Sequence, residues 1–296
     1  MKIVITIFAL PHEIDDLEQV VFQLKRASHL LSSHNTWAVD ITVATSDYLV
    51  DWRRSSMPKS YFFEKLNRFH QLSDWCDCHF QLSDTMKGSL AQKHFSYNKH
   101  ADADIYIWLD PDIIFGESTL ALIESCITRM ERDSLFILSP EIVKMWDSTW
   151  DCLVCDRFLD KPFDYQQHNN PFEDSGVKGE ITLQEVKNTS PKQPRFKVGS
   201  GFFTTLPRNL FDYIPFPQSF GHYGLEDTFI MWAAEKLVAS GKEEIKQFKI
   251  KNLVVCENYK YRFASQYTSH LSLHNRKEEL KAISQRNFQT ELAKIG

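Results

Sequence analysis

The sequence predicts an α/β domain on a mixed, mostly parallel, doubly wound sheet flanked by helices. Short runs rich in Ile, Val and Leu alternate with helical stretches over roughly the first 140 residues, the order that gives parallel crossovers. Several of these runs end directly in polar or acidic segments, as strands do at the edge where such sheets bind ligands. The 296 residues, 43% hydrophobic and 25% charged, have the make-up of an ordinary globular chain with a sizeable core. No repeat, low-complexity block or clean linker divides them, so one domain is expected.

Each element has its own warrant. Residues 2–9 (KIVITIFA) read as a buried strand. Pro11 and the acids Glu13, Asp15, Asp16 and Glu18 then open a helix, as a preset φ and the helix macrodipole favour. Ile14, Leu17, Val21, Leu24 and Leu31 give it one apolar face. A second strand at 39–44 ends in Thr45, Ser46 and Asp47. Residues 86–100 are expected to be helical, and 104–109 (DIYIWL) form the clearest buried strand. A helix near 117–131 and a strand at 135–138 follow. From 141 to 197 the periodicity dissolves into a stretch holding Trp146, Trp150, Tyr165 and four prolines, which reads as an irregular insertion, a lid or acceptor-recognition segment or a surface loop. Order is expected again in a strand at 198–205, a helix from about 226 to 239, a strand at 249–255 and a closing helix from Arg276.

Charge and composition exclude several functions. With 34 basic against 39 acidic residues the net charge is −5, which argues against a nucleic-acid partner. No run reaches the roughly 18 apolar residues of a membrane span. The apolar start is followed by Pro11-His12-Glu13 with no small-residue cleavage site, so it reads as a strand rather than a secretion signal, and a cytoplasmic location is expected. The basic, aromatic segment Lys260, Tyr261, Arg262 and Phe263 is a candidate for peripheral membrane contact. Cys152 and Cys155 form one C-x-x-C without a second pair at zinc spacing, and the six cysteines are read as reduced thiols.

Three segments carry chemistry. Asp110-Pro111-Asp112 directly follows the strand ending at Leu109, where two carboxylates can offer oxygens to Mg²⁺ or Mn²⁺ or can simply make a turn. Gly221-His222-Tyr223-Gly224-Leu225-Glu226-Asp227 places two acids at a helix start behind glycines, either as caps or as a base for a hydroxyl. His270 and His274 precede the last helix, where a neutral imidazole could complete a metal shell.

Taken together, these segments resemble glycosyltransferases of the GT-A fold, in particular the inverting, metal-dependent group. The resemblance spans residue 2 to about 274 and is weakest over 141–197. Asp110-Pro111-Asp112 stands as the D-x-D of that family. Gly224-Leu225-Glu226-Asp227 is similar to the segment heading its acceptor-side helix, and Gly199-Ser200-Gly201-Phe202-Phe203 to its glycine-rich strand facing the transferred sugar.

The resemblance implies a nucleotide-sugar-binding half over 1–139, an acceptor half over 140–275 and a C-terminal helix over 276–296. It implies Asp112 as a direct ligand of Mn²⁺ or Mg²⁺, Asp110 on the donor ribose or a metal-bound water, and His274 as the late metal ligand with His270 as its competitor. Leu10, Pro11, Glu13 and Asp47 would line the nucleotide, and Asp227 would be the general base with Glu226 beside it. Gly199, Ser200, Gly201 and Gly224 would face the sugar or acceptor. One departure stands out: the family's Arg-Asn pair before the D-x-D strand is absent, with Lys93 and His94 in its place and Lys87 upstream, so Lys87 and Lys93 are the candidate phosphate contacts.

The implied reaction moves a sugar from a nucleotide-diphosphate donor, a UDP-sugar on this reading, to a hydroxyl of a carbohydrate or other acceptor with inversion. The alternatives are a metal-dependent nucleotidyltransferase, which would leave Glu226, Asp227 and His274 without a role, and a binding module of the same fold without catalysis.

Overall fold

The computed structural model describes residues 1–45, 58–86, 88–131, 133–146, 149–152, 171–186, 202–258 and 270–296. Strands β1 (Lys2–Ala9), β2 (Thr36–Ala44), β3 (Asp77–Ser83), β4 (Ile105–Leu109), β9 (Phe203–Pro207), β6 (Leu135–Trp146), β10 (Ile245–Glu257) and β5 (Ile113–Ile114) lie in the spatial order β3-β2-β1-β4-β9-β6-β10-β5. β3, β2, β1 and β4 are parallel, β9 is inserted antiparallel, and β6 and β10 pair in parallel beyond it. The chain steps one way from β1 to β2 and β3 and returns to the other side of β1 with β4. That reversal opens a crevice at the carboxyl ends of β1 and β4.

Strand alternation explains the continuous apolar runs of the sequence. Ile3, Ile5 and Ile7 of β1 and Ile105, Ile107 and Leu109 of β4 face one core layer, which α1 (Ile14–Ser28), α2 (Lys59–Asn67) and α4 (Thr119–Thr128) cover. Val4, Tyr106 and Trp108 face the other layer, packed by α3 (Ser89–Lys99), the short α6 (Leu210–Tyr213) and α7 (Glu226–Ala239). Both faces are covered, so neither strand shows an apolar–polar alternation.

β2 is the exception on the second face. Its Asp40 and Thr42 are fully buried beneath α3. Ser96 hydrogen-bonds Asp40, the Lys99 ammonium donates to it at 2.8 Å, and a ring nitrogen of His100 lies 3.0 Å from it. Gln92 meets Thr42 and donates to the Asp40 carbonyl at 3.1 Å. The inward face of α3 is polar because the strand beneath it is polar, and Asp40 and Thr42 are both hydrogen-bonded there.

Four expectations are corrected. Residues 141–197 are not irregular throughout: β6 runs on to Trp146 and turns back into β7 (Thr149–Cys152), while a short α5 (Pro171–Asp174) leads into β8 (Gly176–Glu185), antiparallel to β10. β8 is exposed along most of its length and is held by its ladder with β10, so no apolar pattern announces it. β10 begins at Ile245, earlier than expected, and spans an irregularity at which Asn252 takes φ 65°. The strand expected at 198–205 is described as Phe203–Pro207. The last helix, α8 (His270–Lys294), starts before Arg276. β3 and α2 have no counterpart in the sequence reading.

Cys76, Cys78, Cys126 and Cys256 are free thiols. Burial pushes Cys78 up to about 11, so it is protonated at neutral pH. Among the described residues no helix is long and apolar enough to cross a membrane.

Candidate active site

The D-x-D turn is fastened on both sides. Pro111, which has no N–H to offer the ladder, follows the end of β4. The Asp110 N–H donates to the Phe202 carbonyl (2.9 Å) at the head of β9, and the Asp112 carbonyl accepts from the Asn258 N–H (2.6 Å) just past β10. The Asn258 side chain, fully buried, donates to Asp16 in the first turn of α1 (3.0 Å). Asn258 thereby joins the strand β10, the D-x-D turn and α1. Sequence reasoning passed over it; its one signal was a polar residue immediately after the apolar strand LVVCE.

At the end of β1 the Glu13 carboxylate accepts from the Leu10 N–H (2.7 Å), and its own N–H returns to the Leu10 carbonyl (2.9 Å). That reciprocal pair fixes the chain where it enters α1, with Pro11 buried between. Leu10 packs with Ala44 and with Leu280 of α8, so the C-terminal helix lies against the ends of β1 and β2. His274 stands less than two turns before Leu280 on that helix.

The other wall is the start of α7. Gly221 and Gly224 take φ 76° and 89°, and Leu225 follows at φ 64°, an uncommon backbone for a branched residue. Glu226 is 5% exposed; its Oε1 accepts from Ser89 Oγ at 2.6 Å and from Lys93 Nζ at 2.7 Å. Lys93, also 5% exposed, sits over the Trp108 ring at 4.4 Å. Asp227 is half-buried, and its Oδ1 accepts from the Thr228 N–H at 2.7 Å.

The charges of these groups act on one another. Burial, then the neighbouring Asp112 carboxylate, pushes Asp110 well above the usual carboxylate range; Glu13 and Glu226 add to this and Lys93 opposes it. Burial works against the Lys93 charge, yet the carboxylates of Glu226, Asp110 and Asp227 hold its pKa above the ordinary lysine value. Burial would likewise raise Glu226, but the Lys93 charge and the hydrogen bonds from Lys93 and Ser89 hold it below. One buried ammonium therefore serves carboxylates from the β4 turn and from α7.

The structure thus brings together Leu10, Pro11, Glu13, Lys93, Asp110, Asp112, Gly224, Glu226 and Asp227. Asp47, Lys87, Gly199, Ser200 and Gly201 lie outside the described residues, as do Lys260, Tyr261, Arg262, Phe263 and Cys155. His270 and His274 belong to α8, but their side chains are outside the described residues as well. His94 packs against Phe216, with ring centroids 5.2 Å apart.

The donor set suits a hard divalent cation. Asp110 and Asp112 offer carboxylate oxygens, and the mutual repulsion of the acids around Asp110 is what a cation relieves. Among the described residues no group of three or more His, Cys, Asp or Glu side chains is arranged to hold a metal. A pair of carboxylates that leaves the remaining positions to water and substrate phosphate is the arrangement Mg²⁺ commonly takes.

No protein-family model matches the sequence, and none of the curated proteins does. Among solved structures, the chain is similar in fold to a mannosyltransferase, PcManGT from Pyrobaculum calidifontis in complex with GDP-Man and Mn²⁺, at 11% identity, TM-score 0.43, covering 86% of this chain and 56% of that one. Another is S. aureus TarS 1–349 in complex with UDP, at 10% identity, TM-score 0.49, covering 98% and 72%. A UDP-glucose pyrophosphorylase complexed with UDP-glucose matches at 10% identity, TM-score 0.40, over 85% and 91%. This chain thus spans little more than half the length of the mannosyltransferase. At these values the likenesses carry no argument about activity, and the functional reading rests on the chain's own residues.

Proposed function

We propose that the chain is a glycosyltransferase that moves a sugar from a nucleoside-diphosphate donor, a UDP-sugar in the first instance, to a hydroxyl acceptor with inversion. The observation that carries this reading is the meeting of two acidic motifs across the β1–β4 crevice: Asp110 and Asp112 on one side, Glu226 and Asp227 on the other, with Lys93 between them.

In this reading Asp112, with Asp110, holds Mn²⁺ or Mg²⁺; when bound, the cation neutralises the charge that grows on the departing diphosphate. Leu10, Pro11 and Glu13 line the nucleotide at the end of β1, and Asp47, which follows β2 in the sequence, is assigned to the nucleotide as well. Asp227, partly open at the head of α7, accepts the proton of the attacking hydroxyl. A single displacement from the face opposite the leaving group inverts the anomeric centre, the geometry inverting glycosidases also use. Gly224, at φ 89° and with Lys281 of α8 against the place of its missing side chain, is assigned to the acceptor side.

The test is product identity. Incubation with Mn²⁺ and a panel of UDP-glucose, UDP-N-acetylglucosamine and GDP-mannose is expected to release nucleoside diphosphate. Pyrophosphate from a nucleoside triphosphate and a sugar phosphate would establish a nucleotidyltransferase instead. Nucleotide binding with no turnover on any donor would establish a binding module.

A further inference from the structure

Two residues of the site are placed where direct contact with donor or acceptor is hard to reconcile with their surroundings. A lysine that binds phosphate must present its ammonium to the open crevice. Lys93 instead is 5% exposed, lies over the Trp108 ring at 4.4 Å and gives its charge to Glu226 at 2.7 Å. A carboxylate that holds an acceptor hydroxyl must likewise be reachable. Glu226 is equally buried, and the same oxygen, Oε1, takes both the Lys93 and the Ser89 hydrogen bonds.

The backbone around this pair is closed to the same degree. A β-carbon on Gly88 would stand 2.1 Å from the His222 carbonyl oxygen and 2.7 Å from the Tyr223 β-carbon, so the chain entering α3 lies directly against the loop leading into α7. Gly88 thus lies against His222 and Tyr223, and Ser89 and Lys93 both hold Glu226, within the segment that ends in Asp227. Trp108, which the Lys93 ammonium covers, is the second residue before Asp110 on β4.

From this arrangement we infer that Lys93 and Glu226 form an internal strut that positions Asp227 against the D-x-D turn, and that neither contacts donor or acceptor. The inference rests on the transferase reading. It makes Lys93 and Glu226 positioning residues, acting through the register of the first turn of α7. Small misplacements of a reacting group weaken transfer strongly while leaving binding in place.

Hydrolysis of the active donor from the panel, with water as acceptor and Mn²⁺ present, separates the roles, because water makes no acceptor contacts. The full chain and three variants, Lys93→Met, Glu226→Gln and the charge-neutral Lys93→Met/Glu226→Gln, are compared for kcat, donor KM and calorimetric affinity for UDP. The double variant removes both buried charges at once and keeps the comparison open where the single lysine variant fails to fold. The strut predicts kcat lowered about tenfold or more in each variant that folds, donor KM and UDP affinity within about twofold of wild type, and a double-variant loss no greater than that of the worse single variant. Raised donor KM with kcat intact in Lys93→Met would make Lys93 a phosphate ligand and overturn the inference. Hydrolysis unchanged in Glu226→Gln, or a double-variant loss equal to the product of the single losses, would overturn it too. A wild-type chain that releases no nucleoside diphosphate from any donor would overturn the transferase reading and the strut with it, a result visible before any variant is made.

Discussion

Replacing Asp40 by Asn tests whether the polar layer beneath α3 supports the fold as described. The carboxylate has no solvent exposure and receives Ser96, Lys99 at 2.8 Å and His100 at 3.0 Å. Asn keeps the shape and one acceptor but removes the charge. Breaking a buried ion pair from one side costs about 3–5 kcal/mol. Lys99 keeps 28% exposure and can turn to water, so the lower end, about 3 kcal/mol, is expected. For a chain of 296 residues that is a fall of about 5 °C in Tm. Burial works to raise the Asp40 pKa, but the bonds from His100, Lys99 and Ser96 hold it below the ordinary value of about 3.9. A carboxyl depressed in the folded state contributes fully above its unfolded value and loses that contribution as pH falls through the folded one. Urea unfolding from pH 7 to pH 3 should therefore show wild type losing stability below about pH 4 and the variant losing less there. A change under about 1 kcal/mol at pH 7, or equal acid slopes in the two proteins, would refute the buried ion pair.

Three further outcomes follow from the site. Gly88→Ala forces a β-carbon into the His222 carbonyl, and neither backbone can yield cheaply; a stability loss at or above the upper end of about 1–3 kcal/mol is expected by urea unfolding, and a neutral substitution would show that the α3–α7 approach is looser than described. Asp227→Asn should keep UDP affinity and lose about 10²–10⁴ in transfer rate; equal loss of UDP affinity would show that Asp227 is not the base. Asn258→Ala removes one bond to Asp16 and weakens the link from α1 to the D-x-D turn, so Mn²⁺-dependent UDP affinity should fall; an unchanged Mn²⁺-dependent affinity would remove Asn258 from the support of that turn.

Much of the fold was legible because the first strands are buried on both faces. Residues 2–9 and 105–109 show as apolar runs because helices cover each side of the sheet, and Asp110-Pro111-Asp112 shows because a polar turn ends such a run. What escaped had other physical origins. β8 is held by backbone bonds along an exposed edge, which leaves no hydrophobic period. α3 is legible as a helix, but the partners of its polar inner face, Asp40 and Thr42, lie far away in sequence. In the candidate site the acids were visible from their places beside a strand and a helix start. The roles suggested by Asn258, and by Lys93 facing Glu226, depend on contacts 242 and 133 residues apart, which no local spacing encodes.

The central claim, a divalent-cation site on Asp110 and Asp112 that holds a nucleoside diphosphate, is tested most directly by calorimetric titration of UDP, GDP and CDP into wild type and Asp112→Ala, with Mn²⁺ and with chelator. The account predicts that one nucleotide binds wild type with Mn²⁺, and that chelator and Asp112→Ala each abolish that binding. Binding that survives both, or no binding of any nucleotide under either condition, would contradict it.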